Sequence, residues 1–242
     1  MKYDVSSGAR FFFATAPLPC PYFPDRVERR VVTELIGNNA TARHDALSLA
    51  GFRRSHDIAY VPACPDCTAC VAVRVLASEF KPSRSFQRIQ KKNRNVQIIE
   101  CPPQVSDEQF ALFTDYQHSR HRGGEMSKMD FLDYKSLVEE TPVETVLFEF
   151  RETDDALVGA CLVDRVDNGL SAVYSYYDPT LETRSFGTFM ILWLIEKTRE
   201  LGLDYTYLGY WIEGCQKMSY KIRFKPIEAF SPEGWQRLLE LE

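Results

Sequence analysis

The chain has 242 residues, 45% hydrophobic and 26% charged, which fits a folded protein with one large core or two smaller ones and excludes disorder as the main state. No uncharged apolar run approaches the roughly 18 residues of a membrane helix, and residues 1–10 lack the basic segment and apolar stretch of a signal peptide, so a cytoplasmic protein is expected. The net charge of −5 conceals an asymmetry: residues 1–104 carry 15 Lys and Arg against 9 Asp and Glu, whereas residues 105–242 carry 14 against 25.

Residues 25–38 and 41–50 have helical composition, with Thr41 placed to cap the second helix and Gly51 to end it. Residues 58–61 and 69–76 are rich in β-branched side chains and predict strands. Between them a Pro-Asp loop carries Cys64, Cys67 and Cys70. Residues 81–95 predict a basic helix; positions 81–94 hold six positive charges and no acid, enough to attract a polyanion although the whole chain is acidic. Cys101-Pro102-Pro103 marks the expected boundary between two domains, 1–103 and 104–242, just ahead of a capping box at Ser106 and Gln109. The helix starting there should reach about residue 122 and break at Gly123-Gly124, and another should cover 130–140. Strands follow at 143–151, 156–166 and 170–177, separated by Asp154-Asp155 and Asp167-Asn168-Gly169, which suit tight hairpins. A long apolar helix at 186–201 closed by Gly202, strands at 205–210 and 227–230, and a last helix at 235–241 complete the chain. This is an α+β order, that of the acetyltransferase-like (GNAT-type) fold, behind a small Cys-containing N-terminal domain.

Arg184-Ser185-Phe186-Gly187-Thr188 opens the long helix, where free backbone N–H groups and the helix dipole favour a phosphate. The pyrophosphate pattern of coenzyme A-dependent acetyltransferases is R/Q-x-x-G-x-G/A; Arg184 and Gly187 match it, and Phe189 departs from it. Cys64, Cys67 and Cys70 stand in CxxC spacing twice over, with Cys20 as a distant fourth thiol. That set suits zinc or an iron–sulfur cluster, and equally a group of reduced thiols; His56 is a weaker candidate ligand. The aromatic runs at 174–177, followed by Asp178, and at 205–211 stand at the ends of consecutive strands, where alternation sends half of each to one face. They form either a stacking cleft or a tyrosine-rich core. Lys217, Lys221, Arg223 and Lys225 make a second basic segment, with Lys217 and Lys221 on one helix face.

Taken together, Cys20-Pro-Tyr22, Gly51-Phe-Arg-Arg-Ser55, Tyr60-Val-Pro-Ala-Cys64 with Cys67 and Cys70, the basic run from Arg84 to Asn93, Tyr176-Tyr177-Asp178, Ser185-Phe-Gly187-Thr188 and Leu208-Gly-Tyr-Trp211…Cys215…Lys217-Met218…Tyr220-Lys221 resemble the bacterial aminoacyl-tRNA–protein transferases. The resemblance spans nearly the whole chain and is to the aspartate/glutamate leucyltransferase branch, related to the eukaryotic arginyltransferases. It implies transfer of leucine from Leu-tRNA to the α-amino group of a protein beginning with Asp or Glu, which creates an N-degron. The acetyltransferase-like domain would then take an aminoacyl ester in place of acetyl-coenzyme A, and Phe189 fits that substitution.

In the related arginyltransferases a CxxC pair near the N-terminus helps hold an iron–sulfur cluster; Cys20 matches its first cysteine and Phe23 stands at the second. Zinc or an iron–sulfur cluster on Cys20, Cys64, Cys67 and Cys70 is therefore a conditional expectation, and the transfer itself should need no cofactor. On this reading the Gly187 and Thr188 amides contact the tRNA 3′ end or the oxyanion, and Tyr176, Asp178 or Tyr210 orients the attacking amine. Ser185, Trp211 and Tyr220 would complete the substrate site. Arg53, Arg54, Arg84 and Arg88 are candidates for gripping the acidic side chain, and Lys91, Lys92, Arg94, Lys217 and Lys221 for the tRNA backbone. The expected partners are aminoacyl-tRNA and proteins with N-terminal Asp or Glu, with neither membrane nor DNA. Three alternatives stand beside this one: arginyl transfer from Arg-tRNA, a coenzyme A-dependent N-acetyltransferase, and a non-catalytic RNA- or metal-binding module. Replacing Lys91 and Lys92 with Ala weakens tRNA binding and flattens its salt dependence, because fewer counterions are released; filter-binding titrations at several salt concentrations check this, and an unchanged slope removes the assignment.

Overall fold

The computed structural model describes residues 11–238. The chain opens on four short strands, β1 (Phe13–Ala14), β2 (Leu18–Pro19), β3 (Val27–Glu28) and β4 (Arg30–Glu34), before the first helix, α1 (Ala40–Leu49). Residues 25–38, expected as a helix, thus hold β3 and β4. Val31, Val32 and Thr33 are β-branched and sit opposite Val61, Tyr60 and Ala59, and that pairing outweighs the helical average of the segment. Thr41 lies inside the first turn of α1, whose N-cap is Asn39, so the expected cap is displaced by two residues. The strands β5 (Arg53–Ser55), β6 (Ile58–Pro62) and β7 (Cys70–Leu76) follow, then α2 (Arg84–Lys92) and β8 (Gln97–Cys101). The hydroxyl of Ser83 caps α2 by accepting from the Phe86 N–H.

Most of the later elements keep to their expected places. Helix α3 (Asp107–Arg120) starts at the Ser106–Gln109 capping box, and α4 (Phe131–Glu139) is capped by Asp130. Strands β9 (Thr145–Arg151), β10 (Leu157–Val166) and β11 (Gly169–Tyr177) form an antiparallel meander. A 3-10 segment at Pro179–Arg184 leads into α5 (Phe186–Glu200), which carries the chain to β12 (Tyr205–Ile212). A second 3-10 segment, Gln216–Arg223, precedes β13 (Ile227–Ser231) and β14 (Gly234–Arg237). The expected helix at 235–241 is replaced by β14: Gly234, at φ +97°, closes a hairpin that sets Trp235 opposite Phe230. Residues 239–241 of that expected helix lie outside the described residues.

Eight strands form the main sheet in the order β14-β13-β7-β12-β11-β10-β9-β8, and β1-β4-β6-β5 form a smaller one. Antiparallel β9 to β11, a helical crossover by α5 and the parallel strand β12 make this the acetyltransferase-like α+β architecture. The main sheet draws β7 and β8 from before residue 103, so 1–103 and 104–242 are segments of sequence that share one sheet. Alternation along β9 and β10 gives that sheet two apolar faces. Phe148, Phe150, Val158 and Val163 pack with Phe186, Met190 and Leu194 of α5. Leu147, Ala160 and Leu162 pack with Phe113 of α3 and Tyr134 of α4. No helix among the described residues is long and apolar enough to cross a membrane.

The smaller sheet is joined to the main one by a buried ion pair. Arg54 of β5 donates from Nε and Nη2 to the two carboxylate oxygens of Asp164 on β10, at 2.7 and 2.8 Å, and both side chains are at most 1% exposed. Thr145 Oγ1 also donates to Asp164, and His44 Nε2 lies 3.6 Å away, its imidazole held below its ordinary pKa chiefly by burial. A buried pair broken on one side leaves an uncompensated charge. Asp164→Asn therefore lowers the unfolding free energy by about 3–5 kcal/mol, measured by urea denaturation; a loss within experimental error overturns this reading of the joint.

Candidate active site in the gap between two strands

The parallel pairing of β11 and β12 is short. It matches Gly169 with Tyr205, Leu170 with Thr206 and Ser171 with Tyr207, and stops there, although β11 runs on to Tyr177 and β12 to Ile212. Beside this point β12 shifts register against β7 between Tyr207 and Gly209, and Gly209 has φ +75°, a conformation that favours glycine. The two strands diverge and a gap opens between their C-terminal halves.

Two cations occupy the gap. Arg53 of β5 donates from Nη2 to the carbonyls of Ala172 and Val173 on β11, at 2.6 and 3.3 Å. It lies so close to β12 that a Cβ on Gly209 would stand 2.7 Å from its Cζ. Its Nη1 is buried and has no hydrogen-bond partner. Lys221, from the segment after β12, donates from Nζ to the carbonyl of Tyr210 at 2.7 Å. Burial first, and then the neighbouring Arg53, push its amine down to about 7. Aromatic rings form the wall: Tyr116 of α3 packs on Tyr177, Gln117 bonds the Tyr174 hydroxyl, and Tyr220 is 38% exposed.

The start of α5 borders the same gap. Ser185 adopts a left-handed conformation without a side-chain cap, and the helical ladder begins with Phe189 N–H donating to the Ser185 carbonyl. Gly187 packs on the Tyr177 ring, which a Cβ would approach to 2.9 Å. Arg184 is not available to a phosphate in the coenzyme A manner: it donates to Asn93 Oδ1 and to Glu152, while Phe189 is buried in the core. Asp178 uses its carboxylate to cap the turn, accepting from Thr180 N–H at 2.8 Å.

Several other candidates have structural tasks. Tyr176 is buried and shares a hydrogen bond with the Tyr134 hydroxyl. The Tyr210 hydroxyl, its pKa raised chiefly by burial, donates to the carbonyls of Gly51 and Tyr60 and so ties the smaller sheet to β12. Trp211 is in the core with Phe224 and Leu192, and Arg54 is spent on Asp164. Lys221 is buried, which removes it from the surface where a tRNA backbone would pass. Lys217 is exposed. Arg84, Arg88, Lys91, Lys92 and Arg94 are exposed on and just after α2, the last four around one shallow depression. That surface adjoins the start of α5, because Lys92 Nζ donates to the Thr183 carbonyl and Asn93 Nδ2 to that of Arg184. Tyr116 and the unpartnered Arg53 Nη1 were not foreseeable: only the approach of α3 and β5 to β11 brings them to the gap.

Cys20, Cys64, Cys67 and Cys70 line one cavity of about 210 Å³, which also receives Tyr22, Arg26 and Glu28. Cys67 accepts from Arg26 Nη1 at 3.0 Å, and its thiol is held below its usual pKa first by the Ala69 amide. Cys64 is within 3.5 Å of the Arg29 amide, and Cys70 is pushed up to about 12 by burial and by the other three thiols. Among the described residues no three His, Cys, Asp or Glu side chains converge closely enough to hold a metal ion.

Comparison with known proteins adds sequence-wide similarity. Residues 18–88 match the family described as arginine-tRNA-protein transferase, N terminus, and residues 108–231 match arginine-tRNA-protein transferase, C terminus. The aspartate/glutamate leucyltransferase of Paramagnetospirillum magneticum is 55% identical over 227 residues, which are 94% of this chain and 93% of the relative. Those of Gluconacetobacter diazotrophicus and Rhodospirillum rubrum are 48% and 50% identical over 98% and 93% of this chain, and 92% of each relative.

The hydroxyl of Tyr210 should matter to stability through its two carbonyl partners. Tyr210→Phe strands those buried acceptors and lowers the unfolding free energy by about 1–2 kcal/mol, read as a lower urea midpoint at unchanged m-value; an unshifted midpoint counts against the tie.

Proposed function

This chain belongs to the arginine-tRNA-protein transferase family, and from that premise we propose that it moves leucine from Leu-tRNA to the α-amino group of proteins beginning with Asp or Glu, in the cytoplasm, marking them for degradation. The observation that carries the leucyl branch is the near-complete overlap, at about half identity, with relatives named aspartate/glutamate leucyltransferase. The gap between β11 and β12 supplies what such a transfer requires.

An aminoacyl ester is already activated, and an α-amino group with a pKa near ~7.7–8.0 is partly neutral at physiological pH. Positioning and stabilisation of the tetrahedral intermediate then supply most of the acceleration. Of the four arginines considered for the acidic side chain, Arg53 is the one with a buried N–H left unpartnered in the cleft. It grips the carboxylate of the incoming Asp or Glu, a charge-assisted bond that an uncharged side chain does not replace. The amides of Gly187 and Thr188, ahead of the first ladder bond of α5, face the ester carbonyl or the tRNA 3′ end. The rings of Tyr116, Tyr174, Tyr177 and Tyr220 enclose the leucyl side chain and the terminal base. The α2 surface carries the acceptor-stem phosphates up to that point. The reaction as written is complete in organic groups and uses no cofactor.

The deciding assay offers purified protein labelled Leu-tRNA or Arg-tRNA with peptides beginning in Asp, Glu, Asn or Gln. Label passes from Leu-tRNA to the Asp and Glu peptides; equal transfer from Arg-tRNA moves the chain to the arginyl branch, and no transfer by folded protein removes the reading. Arg53→Met lowers kcat/KM for Asp and Glu peptides by roughly a hundredfold, and a smaller loss than tenfold on the scale of a single hydrogen bond releases Arg53 from that role.

A further inference from the structure

One titratable group in the gap has no task in the transfer described so far. Lys221 is 7% exposed, and among the described residues it forms no ion pair. An ammonium has three protons to place; the one bond recorded goes to the Tyr210 carbonyl. Its surroundings, element by element, are the Arg53 guanidinium from β5, the Cys70 thiol from β7, Tyr210 on β12 and, on its own segment, the Tyr220 ring 6.0 Å away. None of these is a carboxylate. A permanently charged lysine facing a second cation in a buried gap is costly, and capping one carbonyl does not call for a charge. The position suits an amine that passes between its two protonation states.

We propose that Lys221 Nζ is the proton carrier of aminoacyl transfer. It takes a proton from the attacking α-amino nitrogen as the new C–N bond forms, and returns it to the ribose oxygen as the ester C–O bond breaks. The products are an amide and a free tRNA hydroxyl, and the lysine ends as it began. Placement supports this: Arg53 and Lys221 hold carbonyls on opposite strands of one gap, Ala172 and Val173 on β11 and Tyr210 on β12. A carboxylate seated on Arg53 keeps the α-amine of the same residue within one side chain's length of that guanidinium, whose charge acts on Lys221. The inference rests on the transfer reading given above.

The test is single-turnover transfer from Leu-tRNA to an Asp-starting peptide, from pH 6 to pH 9, with wild type, Lys221→Arg, Lys221→Met and Lys221→Ala. Arginine keeps the cation and the donor to Tyr210 but holds its proton throughout this range. Lys221→Arg and Lys221→Met therefore lose on the order of a hundredfold or more in rate, the usual range for a lost acid–base group, while charged-tRNA affinity stays within about threefold, under the ~1 kcal/mol of an ordinary hydrogen bond. Added methylamine restores part of the Lys221→Ala rate, and the wild-type rate rises through about pH 7 whichever peptide amine is offered. A Lys221→Arg rate close to wild type overturns the proposal and leaves leucyl transfer standing. A folded wild type that transfers from neither tRNA removes both. Should every Lys221 variant unfold on heating below the assay temperature, the wild-type profile decides: a rising limb that tracks the pKa of the peptide amine alone overturns the proposal.

Discussion

The buried bond between Arg54 and Asp164 is the constraint on which the site depends. It holds β5 of the smaller sheet against β10 of the main one, with both charges satisfied in a fork geometry that only arginine provides. Successive residues of a strand point to opposite sides. Once Arg54 is committed to Asp164, its neighbour Arg53 is directed elsewhere, and elsewhere is the gap beside β11. The same joint is reinforced by the Tyr210 hydroxyl on Gly51 and Tyr60 and by the Trp235 indole on the Leu49 carbonyl. Three polar contacts around a small interface thus align a cation delivered by the first third of the chain with strands delivered by the last.

The gap itself is a consequence of how briefly two parallel strands can stay together here. At Gly169 the strands approach so closely that a Cβ would stand 2.1 Å from the Tyr205 carbonyl oxygen, so the pairing can begin only with glycine. Four residues after Tyr205 the left-handed Gly209 turns β12 aside. In an acetyltransferase-like sheet this divergence leaves backbone carbonyls without strand partners, and here Arg53 and Lys221 serve them. The two cations come from opposite halves of the sequence, one basic overall and one acidic. The charge asymmetry visible in the composition therefore has a counterpart in space: an exposed basic surface on α2 leads to a cleft whose own charges are withdrawn from solvent, Lys221 buried and Arg53 half-buried.

The helix start once matched to a pyrophosphate pattern has been put to another use. Arg184 locks onto Asn93 and Glu152, and Asn93 and Lys92 in turn hold the 183–184 carbonyls, so the basic helix is tied to the start of α5. This favours a ligand that spans both, long and polyanionic with a small reactive end, over a compact nucleotide thioester. The cysteine cavity reaches toward the gap through Cys70, one of the groups around Lys221. Its four thiols face one another around Arg26 and Glu28 without converging.

Local signals were enough for much of this fold. The Ser106–Gln109 capping box, the hairpin separators between β9, β10 and β11, the apolar period of α5 and the basic stretch of α2 each depend on neighbours a few residues away, and each was legible in the sequence. The elements misread are those decided at a distance: β4 is a strand because β6 lies beside it, and β14 is one because β13 does. The same division holds for the site. Residue types at motif spacing put Arg53, Gly187, Thr188, Tyr220 and Lys221 among the candidates, and sequence similarity over nearly the whole chain settles the family. Their roles were beyond it. Tyr176, Trp211 and Arg54 carry the same chemistry on paper, yet the fold buries the first two in cores and commits the third to Asp164. Whether a polar group is free to act depends on what else satisfies it, and those partners, 110 residues away for Arg54 and 119 for Arg53, meet only when the sheets assemble.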